Sequence, residues 1–199
     1  MTIQRSATAV ALSLTAALAL AGCAGGGSMS GMDHGSGSAP SASASAGAEA
    51  SEADVMFVSM MIPHHEQAIE MSDTLLAKDG IDQRVTALAE QITDAQESEI
   101  AQMQEWLSEW GASTSDDMGG MDHGGMMSES DMTALEDAEG EDAARLFLEQ
   151  MVEHHEGAVD MAEDEVDDGR NSDAVDLART IVDTQTAEID QMNELLGQL

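Results

Sequence analysis

FVSMMIPHHEQAIEMSD, residues 57–73, returns ninety positions later as FLEQMVEHHEGAVDMAE, residues 147–163. Identities fall at Phe57/Phe147, Met61/Met151, His64/His154, His65/His155, Glu66/Glu156, Ala68/Ala158 and Met71/Met161. A second stretch, LAEQITDAQESEIAQMQEWL (88–107), is repeated as LARTIVDTQTAEIDQMNELL (177–196), matching at Gln96/Gln185, Glu99/Glu188, Ile100/Ile189 and Met103/Met192. The chain is therefore an internal duplication of a two-segment unit.

All four segments have helical periodicity. At 100° per residue, Phe57, Met61, His64, His65, Ala68 and Met71 share a stripe about 120° wide, while Glu66 and Glu70 face away. In the partner segment Val85, Ala89, Ile92, Gln96, Ile100, Met103 and Leu107 make the apolar face, with Glu99 at its edge. Gly80 and Gly111 are expected stops, and Asp82 and Ser172 expected N-caps. Pro63 lies inside the first helical pattern and should kink it just before the histidines; Glu153 stands at the equivalent place. The stretch from Asp131 to Ala138 reads as an extra helical turn. Isolated helices of such length are marginal in water, so the stripes must pack on one another. The expected fold is all-α: a four-helix bundle of two tandem helix-hairpin repeats. Repeat one spans about 54–110, a Gly/Met-rich crossover about 111–130, and repeat two about 131–197, within a bundle domain at 51–199.

The rest of the chain reads as a leader and a tether. Residues 1–22 have Arg5 in a short polar start, then an apolar run from Ala9 to Ala21. That run is about 13 residues, where a membrane span needs roughly 20. Leu20-Ala21-Gly22-Cys23 follows and looks like a bacterial lipobox, with cleavage before Cys23 and acylation of its thiol and amino terminus. Residues 23–50 are mostly Gly, Ser and Ala with a few Met, and suit a disordered tether. Cys23 is the one cysteine, so no internal disulfide and no CxxC site can form. These features place the protein outside the plasma membrane, lipid-anchored on its outer face. Forty acidic residues against six basic ones, a formal charge of −34, exclude nucleic acid as a partner. No protein partner is legible. No Ser-His-Asp constellation or Gly-rich phosphate loop stands out, and no enzyme is expected.

The repeated Met-x-x-His-His carries the chemistry. Met61, His64, His65 and Met71, then Met151, His154, His155 and Met161, put thioether and imidazole donors on inward stripes. Such donors suit Cu(I) or Ag(I) far better than Mg, Ca or Mn, and copper is the expected ion. Di-iron bundles place Glu three residues before a ligand His; here Met61 and Met151 occupy those positions, which disfavours a ferritin-type redox enzyme. Four inward histidines are costly unless paired or ligated. Gln96, Glu99, Gln185 and Glu188 could hold the ring N–H groups or satisfy one another. Core packing alone would account for Met103, Met192, Phe57 and Phe147. A separate signal is the repeated M-D-H-G: Met32 and His34 in the tether, and Met118, Met121, His123, Met126 and Met127 in the crossover. With nothing apolar around them in sequence, these read as secondary metal donors.

The doubled F-x-x-x-M-x-x-H-H-E-x-A-x-x-M, each copy followed by L-A-x-x-I-x-x-x-Q-x-x-E-I-x-x-M, resembles the domain of unknown function family 305 (DUF305) over about 54–197. The resemblance implies a ferritin-like four-helix bundle outside the cytoplasm, in a group that includes copper-binding proteins of the CopM type. It carries the metal role onto the same eight Met and His positions. Met61-Ile62-Pro63-His64-His65 fits the family's common form, and Met151-Val152-Glu153 departs from it. The expected function is copper sequestration or relay by a surface lipoprotein; the alternative is a tethered interaction bundle with buried histidines and no metal role.

Overall fold

The structure, a computed structural model, describes residues 50–113 and 124–199. The expected leader, the tether with Cys23, Met32 and His34, and the crossover donors Met118, Met121 and His123 lie outside the described residues. Among the described residues the elements are α1 (Glu52–Leu76), α2 (Gln83–Trp110), α3 (Glu129–Asp137), α4 (Gly140–Asp168) and α5 (Ser172–Leu196). The fold is the expected all-α bundle, with α3 as a short helix over the stretch expected to form an extra helical turn.

Local chemistry sets the helix ends. Ser51 opens α1 in a reciprocal capping box with Asp54, and Ser128 opens α3 the same way with Asp131. Asp82 caps α2 by accepting from the Arg84 amide at 2.8 Å. Asn171 caps α5, accepting from the amides of Asp173 and Ala174, so Ser172 is the first helical residue and not the cap. An Asn carbonyl oxygen reaches N2 and N3 together, which decides the one-residue difference. Gly111 ends α2 in the left-handed region at φ 66°, where a side chain would be strained. Past Leu76 the chain turns at Gly80, also left-handed at φ 79°. α1 continues through Pro63, which deprives the Ser59 carbonyl of its usual amide partner.

The helices pair as hairpins α1–α2 and α4–α5, and α1 packs on α4. Two apolar clusters fill the bundle. One gathers Met71 and Leu75 of α1, Leu88 and Ile92 of α2, Leu135 of α3, and Phe147 and Met151 of α4, with Met192 of α5. The other gathers Phe57 and Met61 of α1, Met103 of α2, Ala158 and Ala162 of α4, and Leu177 and Ile181 of α5. Thus the start of α1 lies beside the end of α4, so these helices run antiparallel. Each repeated pair (Phe57 and Phe147, Met61 and Met151, Met103 and Met192) is split between the clusters. That is the signature of a two-fold relation between the halves. Between the clusters lies a polar layer of His64, His65, His154, His155, Gln96 and Gln185, all buried.

A candidate metal centre in the histidine layer

All four imidazoles are fully buried, as the stripe pattern required. Side chains three and four apart lie on one helical face, so Met61 and Met151 sit one turn before the rings of their own helices, and both are fully buried. Met71 and Met161 lie seven residues beyond His64 and His154, about 10.5 Å along each helix axis. Met71 is fully buried, whereas Met161 is only half-buried at the margin of its cluster. The eight sequence-expected donors are therefore not one constellation: Met61, Met151 and the four histidines share the middle of the bundle, and Met71 and Met161 sit toward opposite ends.

The histidines divide into two kinds. His65 Nε2 lies 2.7 Å from Glu99 of α2, and His155 Nε2 lies 2.9 Å from Glu188 of α5. In both halves, therefore, a glutamate of the hairpin's second helix contacts the second histidine of the pair. Glu188 is itself held by the Gln91 side-chain amide at 3.0 Å. Gln96 and Gln185 are buried nearby, but their side-chain oxygens accept no hydrogen bond, so they do not hold the rings through those atoms. Glu99 and Glu188 line a groove of about 290 Å³ between α2 and α5, together with Gln96 and Gln185.

His64 and His154 form the centre. Their ring centroids are 3.8 Å apart with planes tilted by 42°. His64 Nε2 donates to the Gly124 carbonyl at 3.2 Å. Apart from a backbone contact to His64, the ring nitrogens of His154 have no hydrogen-bond partner. Burial, followed by the neighbouring imidazoles of His64, His155 and His65, holds the His154 pKa well below the usual histidine range. The ring is thus neutral and keeps a free lone pair, the form in which imidazole binds a metal. Among the described residues no three His, Cys, Asp or Glu side chains converge on one point. The two central rings offer imidazole nitrogen with no carboxylate hydrogen-bonded to either, unlike the carboxylate-rich set of an iron site.

The end of the crossover is laid over this layer. Gly157 of α4 meets Gly124 and Gly125 so closely that a Cβ there would lie 2.0 Å from the Gly124 carbonyl oxygen. In the aligned position of α1 stands Gln67, whose amide nitrogen donates to the Met127 carbonyl at 3.0 Å and whose oxygen accepts from the Met127 amide at 2.7 Å. Met127 is buried against the first cluster and Met126 is half-buried. This corrects the expectation that nothing apolar surrounds the crossover methionines: packing accounts for Met127. The repeat alignment held a signal for this contact, since Gln67 and Gly157 are a mismatch inside the best-matched stretch.

Sequence reasoning also missed a carboxyl pair. Asp54 is fully buried and accepts from the amides of Arg170 and Asn171, both at 2.9 Å, which ties the α4–α5 connection to the start of α1. Glu165 of α4 lies beside it, 2 % exposed and with no donor to serve an ionised carboxylate. Burial, then proton sharing with Asp54, pushes the Glu165 pKa up to about 8. Burial raises the Asp54 pKa, but its hydrogen bonds to Ser51, Asn171 and Glu165 together outweigh this and bring it to about 2. The neutral acid of Glu165 is the form that satisfies the pair.

Comparison with known proteins agrees with this architecture. The chain is similar to a DUF305 fragment from Deinococcus radiodurans, at 34% identity and a TM-score of 0.70, over 75% of this chain and 99% of that one. It is similar to a DUF305 protein from Streptomyces coelicolor that carries a provisional secreted designation, at 33% identity and TM-score 0.69, over 73% and 93% of the two chains. It also matches CopM in its Cu(II)-bound form, at 32% identity and TM-score 0.64, over 73% and 96%; CopM has further Cu(I)-bound, Ag-bound and apo forms. No curated protein sequence matches the chain. The family profile described as Domain of unknown function (DUF305) covers residues 54–196, and the chain belongs to that family.

Proposed function

We propose that this DUF305 protein is a non-enzymatic soft-metal binder, taking Cu(I) and, by the same donors, Ag(I), for sequestration or relay outside the plasma membrane. The observation that carries the reading is His154: a fully buried, neutral imidazole whose nitrogens have no partner beyond a backbone contact to His64, with its ring centroid 3.8 Å from that of His64. Leaving a buried polar ring unsatisfied costs about 1–3 kcal/mol, which a bound ion would offset. His154 and His64 supply nitrogen, and Met61 and Met151 supply sulfur. Glu99 and Glu188 steady the outer pair, His65 and His155, and keep them as reserve donors. Support for copper also comes from the likeness to CopM, whose solved forms hold copper and silver. Export and acylation at Cys23, with Met32, His34, Met118, Met121, His123 and Met126 as looser donors, complete the proposal.

A tethered bundle without a metal role remains the second reading, because the Glu99 and Glu188 pairs give His65 and His155 a structural purpose. The two readings part at His154→Leu, which removes the ring nitrogens and keeps an apolar side chain. With the purified chain titrated by Cu(I) against a competing chelator, the metal reading predicts affinity lower by about tenfold or more. An unchanged affinity, with only the melting temperature altered, would establish the structural reading.

A further inference from the structure

The two-fold relation between the halves breaks down at one pair of grooves, and the break exposes sulfur. At one end α3 lies across α1 and α4. The Gln150 side chain of α4 donates to the Asp131 carbonyl of α3 at 2.9 Å, and Met71 beneath is fully buried. At the equivalent place on the other end no described element covers α1 and α4. There Met161 is half-buried, and it lines a groove of about 340 Å³ with Met56 and Met60. The residues aligned with Met56 and Met60 are Leu146 and Gln150, so these two thioethers lie outside the repeated motif.

Three thioethers line this groove. Met56 and Met60 are four apart on α1, with Cβ atoms roughly 5–6 Å from each other, and Met161 faces them from α4. Phe57 closes the floor and Asp164 and Asp168 stand at the rim, where their charge favours a cation. Met56 is 44 % exposed, so its packing contribution is small and leucine would serve as well. Thioethers bind monovalent soft ions without releasing a proton.

We infer that Met56, Met60 and Met161 form a second, sulfur-only site for Cu(I) or Ag(I) in the open α1–α4 groove, separate from the histidine layer. The ion keeps its +1 state, and no redox partner is needed. The inference rests on the soft-metal reading for the class of ion but uses none of the residues that carry it. The test is a silver(I) titration of the purified chain beside a Met56→Leu, Met60→Leu, Met161→Leu variant, a volume-conserving change that spares the fold. Met103→Leu, a buried core change, is the control. The triple variant should lose one bound equivalent and its share of the silver–sulfur absorption signal, with the control unchanged. Wild-type stoichiometry and spectrum in the triple variant would overturn the site. His154→Leu keeps the two claims apart: if that variant binds like wild type while the triple variant loses an equivalent, the groove stands and the histidine reading falls.

Discussion

The Asp54–Glu165 pair makes stability fall with rising pH in a way one substitution should cancel. In the unfolded chain Glu165 titrates near 4.5, and in the fold at about 8. Between those values the folded state holds a proton that the unfolded state has released, so its contribution is complete below about 4.5 and is lost as pH climbs through 8. The separation of about 3.5 units, at 1.36 kcal/mol each, sets an upper bound near 5 kcal/mol. Sharing of the proton with Asp54 reduces this to the order of 3–4 kcal/mol by pH 9. Asp54 acts oppositely: lowered from 3.8 to about 2, it contributes stability above about pH 4 that disappears as pH falls through 2. The pair is therefore most favourable near pH 4. Glu165→Gln keeps a donor for Asp54 and cannot ionise. Thermal melts of both proteins from pH 4 to 9 should show little difference at pH 4, with the variant melting higher by roughly 10 °C at pH 9. Background repulsion among the other acidic groups is common to both and cancels. A gap that stays constant with pH, or a variant that melts lower at pH 9, would refute the reasoning.

Other perturbations probe the strap and the caps. Gly157→Ala places a Cβ 2.0 Å from the Gly124 oxygen, forcing the strap outward; urea unfolding should report a loss of about 2–4 kcal/mol. Gln67→Ala removes both hydrogen bonds to Met127 and should cost about 1–3 kcal/mol, with faster amide exchange at Met127 as the local sign. Asn171→Ala deletes the α5 cap and should cost about 1 kcal/mol in the same assay, with no change in metal binding.

Much of the fold was legible because two independent patterns agreed. The repeat defined paired segments, and the stripes of Phe57–Met71 and Val85–Leu107 turned them inward. Every residue of the α1 stripe is buried, and in α2 only Ile100 is half-buried. Within the site, burial of the histidines followed from their stripe, but the closeness of His64 to His154 did not. Periodicity says which face is inward and leaves open which residues meet across the bundle. The Glu99 and Glu188 partners were visible only as candidates, since their place at the edge of the apolar face allows more than one contact. Asp54 and Glu165 gave no signal at all: two carboxylates among forty acidic residues carry no local mark of burial. Met127 was misjudged because its burial depends on the Gly157 contact, which is long-range.

The most direct test of the central claim is to follow the histidine side-chain nitrogen resonances of the labelled chain while Cu(I) is added anaerobically. The account predicts that the ring nitrogens of His154, with those of His64, shift as copper saturates. If all the buried histidine resonances stay in place at saturation, copper does not bind in the histidine layer and the bundle's imidazoles are structural.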